Sequence, residues 1–209
     1  MKTQEFWSEL VTKASWEKLL EISKRFNFIV IGGWAAYLWT KAHKSKDIDI
    51  VVDYSELDAL RSEFDIAKNE RLRKYEIRQE GFDIDIYLGH WSRLAVPVEA
   101  LSRHTAKVEG IRTIIPELLV ILKQGAEIDR RGSIKGKKDQ IDILTLLIYS
   151  DFKLRKYRAF LKEFGLERFE PELRRVVHSF DERELVYLGM DHQQFVKWKR
   201  NFLEALKSP

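Results

Sequence analysis

Residues 28–53 read FIVIGGWAAYLWTKAHKSKDIDIVVD, and this stretch decides the fold. The apolar run Phe28-Ile29-Val30-Ile31 ends at Gly32-Gly33 and passes into WAAYLWTKA, which reads as a strand, a tight turn and a helix. Two residues without Cβ at that turn let the backbone approach another group closely. The free N–H groups at the start of the helix near Trp34 attract anions. DIDIVVD at 47–53 reads as a second strand. Its period of two puts Asp47 and Asp49 on one face and turns Ile48 and Ile50 toward the core. Like charges side by side repel, so the pair is either fully solvated or neutralised by a cation.

The same alternation recurs in FDIDIYL at 82–88, where Asp83 and Asp85 interleave with Phe82, Ile84 and Ile86. If the two strands are neighbours in one sheet, three carboxylates converge on a patch that suits hard divalent ions bound through oxygen. Around this pair lie a helical stripe over 5–25, interrupted near Thr12 to Ser15, and a helix from Ser55 to about Phe64. Strands over 71–79 and 82–88 break at Gly81, and a hairpin over 105–115 turns at Gly110. From Pro116 the pattern becomes helical: ELLVILKQGAEIDR opens with a first-turn proline, and a Gly- and Lys-rich loop, RGSIKGKKD, leads to DQIDILTLLIYS. Further helices are expected over 153–164, 171–188 and 191–207. The expected fold is α/β (α+β), a small mixed sheet with a helical C-terminal half, divided at Pro116 into 1–115 and 116–209.

Composition excludes several classes. The 209 residues contain no Cys, so a disulfide framework or thiolate-metal scaffold is ruled out and only His, Asp and Glu remain as strong metal ligands. The five histidines show no ligand spacing. The N-terminal residues carry acids throughout and lack the apolar core of a signal peptide, and no apolar run is long enough to span a bilayer, so the expected location is cytoplasmic, without a membrane partner.

GGWAAYLWTKAHKSKDIDIVV resembles the signature of the DNA polymerase β-like nucleotidyltransferase superfamily: a GG turn followed by [ST]-x-D-x-D, here Ser45-Lys46-Asp47-Ile48-Asp49, with a later carboxylate-bearing strand matched by FDIDIYL. K-x-x-A-x-x-x-R at Lys123, Ala126 and Arg130, and K-D-x-x-D-x-x-x-L at Lys138, Asp139, Asp142 and Leu146, are similar to motifs of its abortive-infection and toxin–antitoxin (AbiEii-like) branch. The resemblance covers about residues 28–150. It implies two Mg²⁺ or Mn²⁺ ions on catalytic Asp47, Asp49 and Asp85, with Asp83 the rival for the third place. Gly32, Gly33 and Ser45 would cradle the triphosphate of an NTP such as ATP, and Lys123 would reach its oxygens. Arg130 and Lys138 are either phosphate contacts or partners that orient Lys123 and the Asp139/Asp142 pair. The implied activity is transfer of NMP to an acceptor hydroxyl on RNA, tRNA or protein, with a cognate antitoxin or toxin protein as partner. The alternatives are an antibiotic-type small-molecule nucleotidyltransferase and a non-catalytic binding module.

The formal net charge of +4 also has an address. Within 123–138, Lys123, Arg130, Arg131, Lys135, Lys137 and Lys138 stand against Glu127 and Asp129, an excess equal to that of the whole chain. This segment is expected to face the acidic cleft and to hold triphosphate or an RNA backbone.

Overall fold

The structure, a computed structural model, describes residues 6–207. The first five residues, on which part of the signal-peptide reading rests, and the last two lie outside the described residues. Among the described residues, seven strands form one mixed sheet: β1 (Ile29–Ile31), β2 (Ile48–Val52), β3 (Ala67–Asn69), β4 (Lys74–Arg78), β5 (Asp83–Leu88), β6 (Thr105–Val108) and β7 (Ile111–Ile114), in the order β3-β4-β5-β2-β1-β7-β6. β1 runs antiparallel to β2 and parallel to β7, while β2 runs parallel to β5. β1 is a continuous buried run of Ile and Val, whereas β2 and β5 alternate buried apolar residues with acids on the face that opens to the cleft.

The helices are α1 (Glu9–Ser23), α2 (Gly32–Thr40), α3 (Tyr54–Arg61), α4 (Val98–Leu101), α5 (Pro116–Asp129), α6 (Ile134–Tyr149), α7 (Leu154–Glu163), α8 (Phe169–His178), α9 (Leu185–Leu188) and α10 (His192–Ala205). Both halves of the chain feed one apolar core, in which Val30, Trp34, Ile48 and Ile86 join Leu118, Ile141, Leu144 and Tyr157. Among the described residues, no helix is long and apolar enough to cross a membrane.

Three departures from the sequence expectations have physical causes. The break expected near Thr12 to Ser15 does not occur, because the polar groups find partners. Thr12 Oγ1 donates to the Glu9 carbonyl (3.1 Å), and Ser15 Oγ accepts from the indole N–H of buried Trp34 (2.8 Å), so α1 continues through them. The Gly- and Lys-rich loop is shorter than expected. Ser133 caps α6 by accepting from the Gly136 N–H (3.0 Å), so Lys135, Lys137 and Lys138 are helical. The helix expected over 171–188 is split after His178, where Asp181 accepts from the Arg183 N–H and starts a short 3₁₀ turn, Glu182–Glu184, leading into α9. The sequence also gave no sign of the short strand β3 or of α4.

Candidate active site

β1 delivers the chain to Gly32 at φ +67°, a left-handed conformation that glycine adopts without strain. Antiparallel pairing puts Asp49 opposite Ile31, the residue just before this turn. A Cβ on Gly32 would lie 2.0 Å from Asp49 Oδ2, and one on Gly33 would lie 2.4 Å from Ser45 Oγ. The diglycine is therefore required by the side chains of the following loop and strand as well as by its own turn. Gly32→Ala is expected to unseat Asp49 and to strain the backbone, at a cost of roughly 1–3 kcal/mol in stability. A urea titration of the purified variant measures the loss.

Parallel pairing then sets Asp49 of β2 directly beside Asp85 of β5, with strand axes about 4.8 Å apart. On the far side of β5, Glu76 of β4 stands opposite Asp85, so three adjacent strands carry a row of three acids. Lys74 relieves Asp85 and Glu76: its Nζ lies 2.6 Å from Asp85 Oδ2 and 3.0 Å from Glu76 Oε1. The other oxygen of Asp85, Oδ1, is buried and has no hydrogen-bond partner. Asp49 has no cation of its own within ion-pair distance among the described residues. Close surroundings and the neighbouring Asp85 carboxylate push its pKa up to about 7. Solvent still reaches it from the cleft, which tempers the penalty. Tyr87 Oη donates to Asp49 Oδ1 at 3.4 Å, and its phenol is held well above its ordinary pKa by burial and by the two carboxylates.

Asp47 lies at the mouth of the cleft. Its Oδ1 accepts from the Asp83 backbone N–H (3.3 Å), and its Oδ2 faces Lys135 Nζ across 3.1 Å. Asp83 itself is exposed at the start of β5, and its side chain is not among those lining the cleft. Asp85 is the carboxylate that the register brings to Asp49.

The opposite wall comes from α5 and α6. Lys123, buried, lies 3.1 Å from Asp139 Oδ1 and 2.7 Å from Asp142 Oδ2, and Lys138 pairs with the other oxygen of Asp142. Arg130 forks onto Asp139 through Nε (2.7 Å) and Nη2 (3.0 Å). Burial works against the charge on Lys123, but the Asp142 and Asp139 carboxylates outweigh it and raise its pKa. The downstream basic residues thus form an ion network with Asp139 and Asp142 at the cleft wall, with Arg130 half exposed at its rim. Lys137, by contrast, turns away to Glu184, and Arg131 to Glu127 and Glu172.

These groups enclose a cleft of about 230 Å³ lined by Gly32, Gly33, Ser45, Asp47, Asp49, Asp85, Lys123, Arg130 and Lys138. Lys74, Tyr87, Lys135 and Trp7 also line it. Lys74 and Tyr87 were not singled out from sequence. The one available sign was Lys74-Tyr75-Glu76 on a strand, which puts a cation and an acid on one face. Among the described residues, no three carboxylates or imidazoles stand close enough to form a ready metal cage, because Asp47 and Asp85 are each turned to a lysine. The unpartnered oxygen of Asp85 beside the cation-free Asp49 is nonetheless a pair of oxygen donors with charge to be neutralised, which fits a hard divalent ion.

No family model matches the sequence, and no curated protein matches it. Solved structures do. A protein of H. pylori described as a candidate nucleotidyltransferase superposes with a TM-score of 0.51 at 15% identity, covering 97% of this chain and 100% of that one. The fold is nucleotidyltransferase-like. JHP933 from Helicobacter pylori is similar at a TM-score of 0.48 and 17% identity, over 96% of this chain and 99% of that one. An antigenic nucleotidyltransferase-like protein from Paracoccidioides brasiliensis gives 0.38 and 16%, over 80% and 89%. The nucleotidyltransferase-like fold puts the diglycine turn, Asp49 and Asp85 of this chain at one end of the central strands β1, β2 and β5.

Proposed function

We propose that the protein is a metal-dependent nucleotidyltransferase that moves NMP from an NTP to an acceptor hydroxyl. The observation that carries this reading is the side-by-side register of Asp49 and Asp85 above the Cβ-free Gly32. Divalent ions held by Asp47, Asp49 and Asp85 would supply charge neutralisation at the triphosphate and polarise the attacking hydroxyl. The chain's own groups do the rest. Gly32 and Gly33, whose missing Cβ atoms make way for Asp49 and Ser45, offer the N–H groups at the start of α2 to phosphate oxygens, and Asp85 accepts the hydroxyl proton. The acceptor oxygen forms a bond to the α-phosphorus as the bond to the bridging oxygen breaks, and pyrophosphate leaves. Lys135 withdraws from Asp47 to the departing phosphates, while the Asp139/Asp142 network fixes Lys123 and Arg130 along the wall. A role as the toxin of a toxin–antitoxin pair rests on the motifs at Lys123–Arg130 and Lys138–Leu146.

The second reading, a non-catalytic binding module, is favoured by Lys74 and Lys135, which occupy two of the three carboxylates. Incubation with Mg²⁺ or Mn²⁺, each α-labelled NTP, total RNA and cell extract separates the two. Label on one acceptor is expected, and its absence with all four nucleotides would favour the second reading. Lys135→Ala is expected to raise the Kd for Mg–NTP about 3- to 10-fold by removing one charge-assisted phosphate contact, measurable by calorimetry.

A further inference from the structure

A second cavity of about 500 Å³ adjoins the cleft, and Leu94, Leu122 and Ala126 line both. We propose that it is the acceptor site and that it takes the single-stranded end of an RNA. The inference rests on the nucleotidyl-transfer reading of the cleft. In-line displacement requires the acceptor to enter opposite the leaving pyrophosphate. In the sheet, the diglycine lies on the β1 side of Asp49 and Asp85 lies on the β5 side. A triphosphate seated on the diglycine therefore leaves the β5 side for the attacking hydroxyl. The loop that follows β5, through Arg93, Leu94 and Ala95, leads from that side into the second cavity. α5 is the shared wall, presenting Lys123 to the cleft and Gly125 and Ile128 to the cavity. A Cβ on Gly125 would lie 2.7 Å from that of Ala95, so glycine is what allows helix and loop to meet there.

The lining has the chemistry of a nucleotide chain. Arg93 and Arg168 are exposed on its rim, and neither forms an ion pair among the described residues. The Arg168 guanidinium lies over the Phe169 ring, 5.9 Å from its centroid, a planar cation presented beside an apolar wall of Leu94, Leu122 and Ile128. Of the two acids at the cavity, Glu172 is already neutralised by Arg131 and Arg175 (2.9 Å), which leaves Asp129 against the two arginines. A net positive rim with a planar guanidinium beside an apolar wall suits phosphates alternating with unstacked bases, where a duplex would hide its bases.

The test uses the whole chain, a fluorescein-labelled single-stranded RNA 12-mer followed by anisotropy, and Mg–ATP binding followed separately by calorimetry. The Arg93→Glu/Arg168→Glu variant is expected to bind the RNA at least about 10-fold more weakly, with a shallower salt dependence, and to bind Mg–ATP within about twofold of the native protein. Single Arg93→Gln and Arg168→Gln variants, checked for an unchanged unfolding midpoint, should each show part of the loss. Arg→Lys changes should restore most of the salt slope. Unchanged RNA affinity in the variants, no RNA binding by the native protein, or transfer only to a protein acceptor overturns the RNA site. Failure of the native protein to bind Mg–NTP instead overturns the reading of the cleft on which it rests.

Discussion

Asp49→Asn is expected to lower nucleotidyl transfer by about 10³-fold or more and, at the same time, to make the metal-free protein more stable at neutral pH. The first effect follows from the proposed role of Asp49 as an anionic oxygen donor to the ions at the phosphates, where loss of several kcal/mol of transition-state stabilisation corresponds to at least three decades in rate. The second follows from the raised pKa of Asp49, caused by its enclosure and by Asp85. Between the ordinary aspartate value and a folded value of about 7, the native state holds a proton that the unfolded chain has released, so stability falls as pH rises through this window. At pH 7.5 in chelator, the ionised Asp49 costs on the order of 2 kcal/mol after allowance for its partial solvation, and the uncharged, nearly isosteric Asn does not. The thermal midpoint should therefore rise by roughly 4–8 °C at pH 7.5. At pH 5, lower in that window, the gain should shrink to less than half, and it should vanish only below the ordinary aspartate value. Thermal scans of both proteins at the two pH values check this. A variant that is inactive but less stable at pH 7.5 would show that Asp49 is a structural partner, not a site of stored repulsion.

Asp142→Ala is expected to produce the largest loss of stability. Burial alone would raise the Asp142 carboxyl, but Lys123 and Lys138 outweigh it and hold the pKa below the ordinary range. Without Asp142, Lys138 is a buried ammonium whose charge burial already disfavours, and Lys123 keeps only Asp139. Removing one partner of such a set costs about 3–5 kcal/mol, so a fall in midpoint on the order of 10 °C is expected. Asp142→Leu combined with Lys138→Met should recover much of the loss, because it removes the orphaned charge together with its partner. The depressed pKa also fixes the sign of the pH effect. This stabilisation is present above the ordinary aspartate pKa and is lost as pH falls through the lower folded value, so the native protein should unfold more readily than Asp142→Leu/Lys138→Met only in acid.

The charge segment 123–138 shows how far a linear reading extends. Its excess of cations was visible in the sequence, yet their targets were not. Lys135 reaches across to Asp47, while Lys137 and Arg131 leave the cleft for Glu184, Glu127 and Glu172. Which way a helical lysine turns depends on the packing of α6 against α2 and α5, and helical spacing alone does not contain that.

The sequence by itself determined the strand–diglycine–helix unit, because an apolar run ending in Gly-Gly before a helical stretch carries its own turn chemistry, and only alternation makes DIDIVVD a half-polar strand. It also determined the hairpin at Gly110 and the helical second half, because each rests on local periodicity and turn chemistry. Only the tertiary structure decided that β2 and β5 are parallel neighbours in the register that seats Asp49 beside Asp85 and leaves Asp83 at the rim. The antiparallel pairing of β4 with β5 likewise gave Lys74 its place between Glu76 and Asp85. Strand order and register are set by how the faces of the whole sheet are buried, through contacts between residues far apart in the chain. Two strands with identical alternation can therefore present their acids to one site or to opposite edges, and packing alone chooses between them.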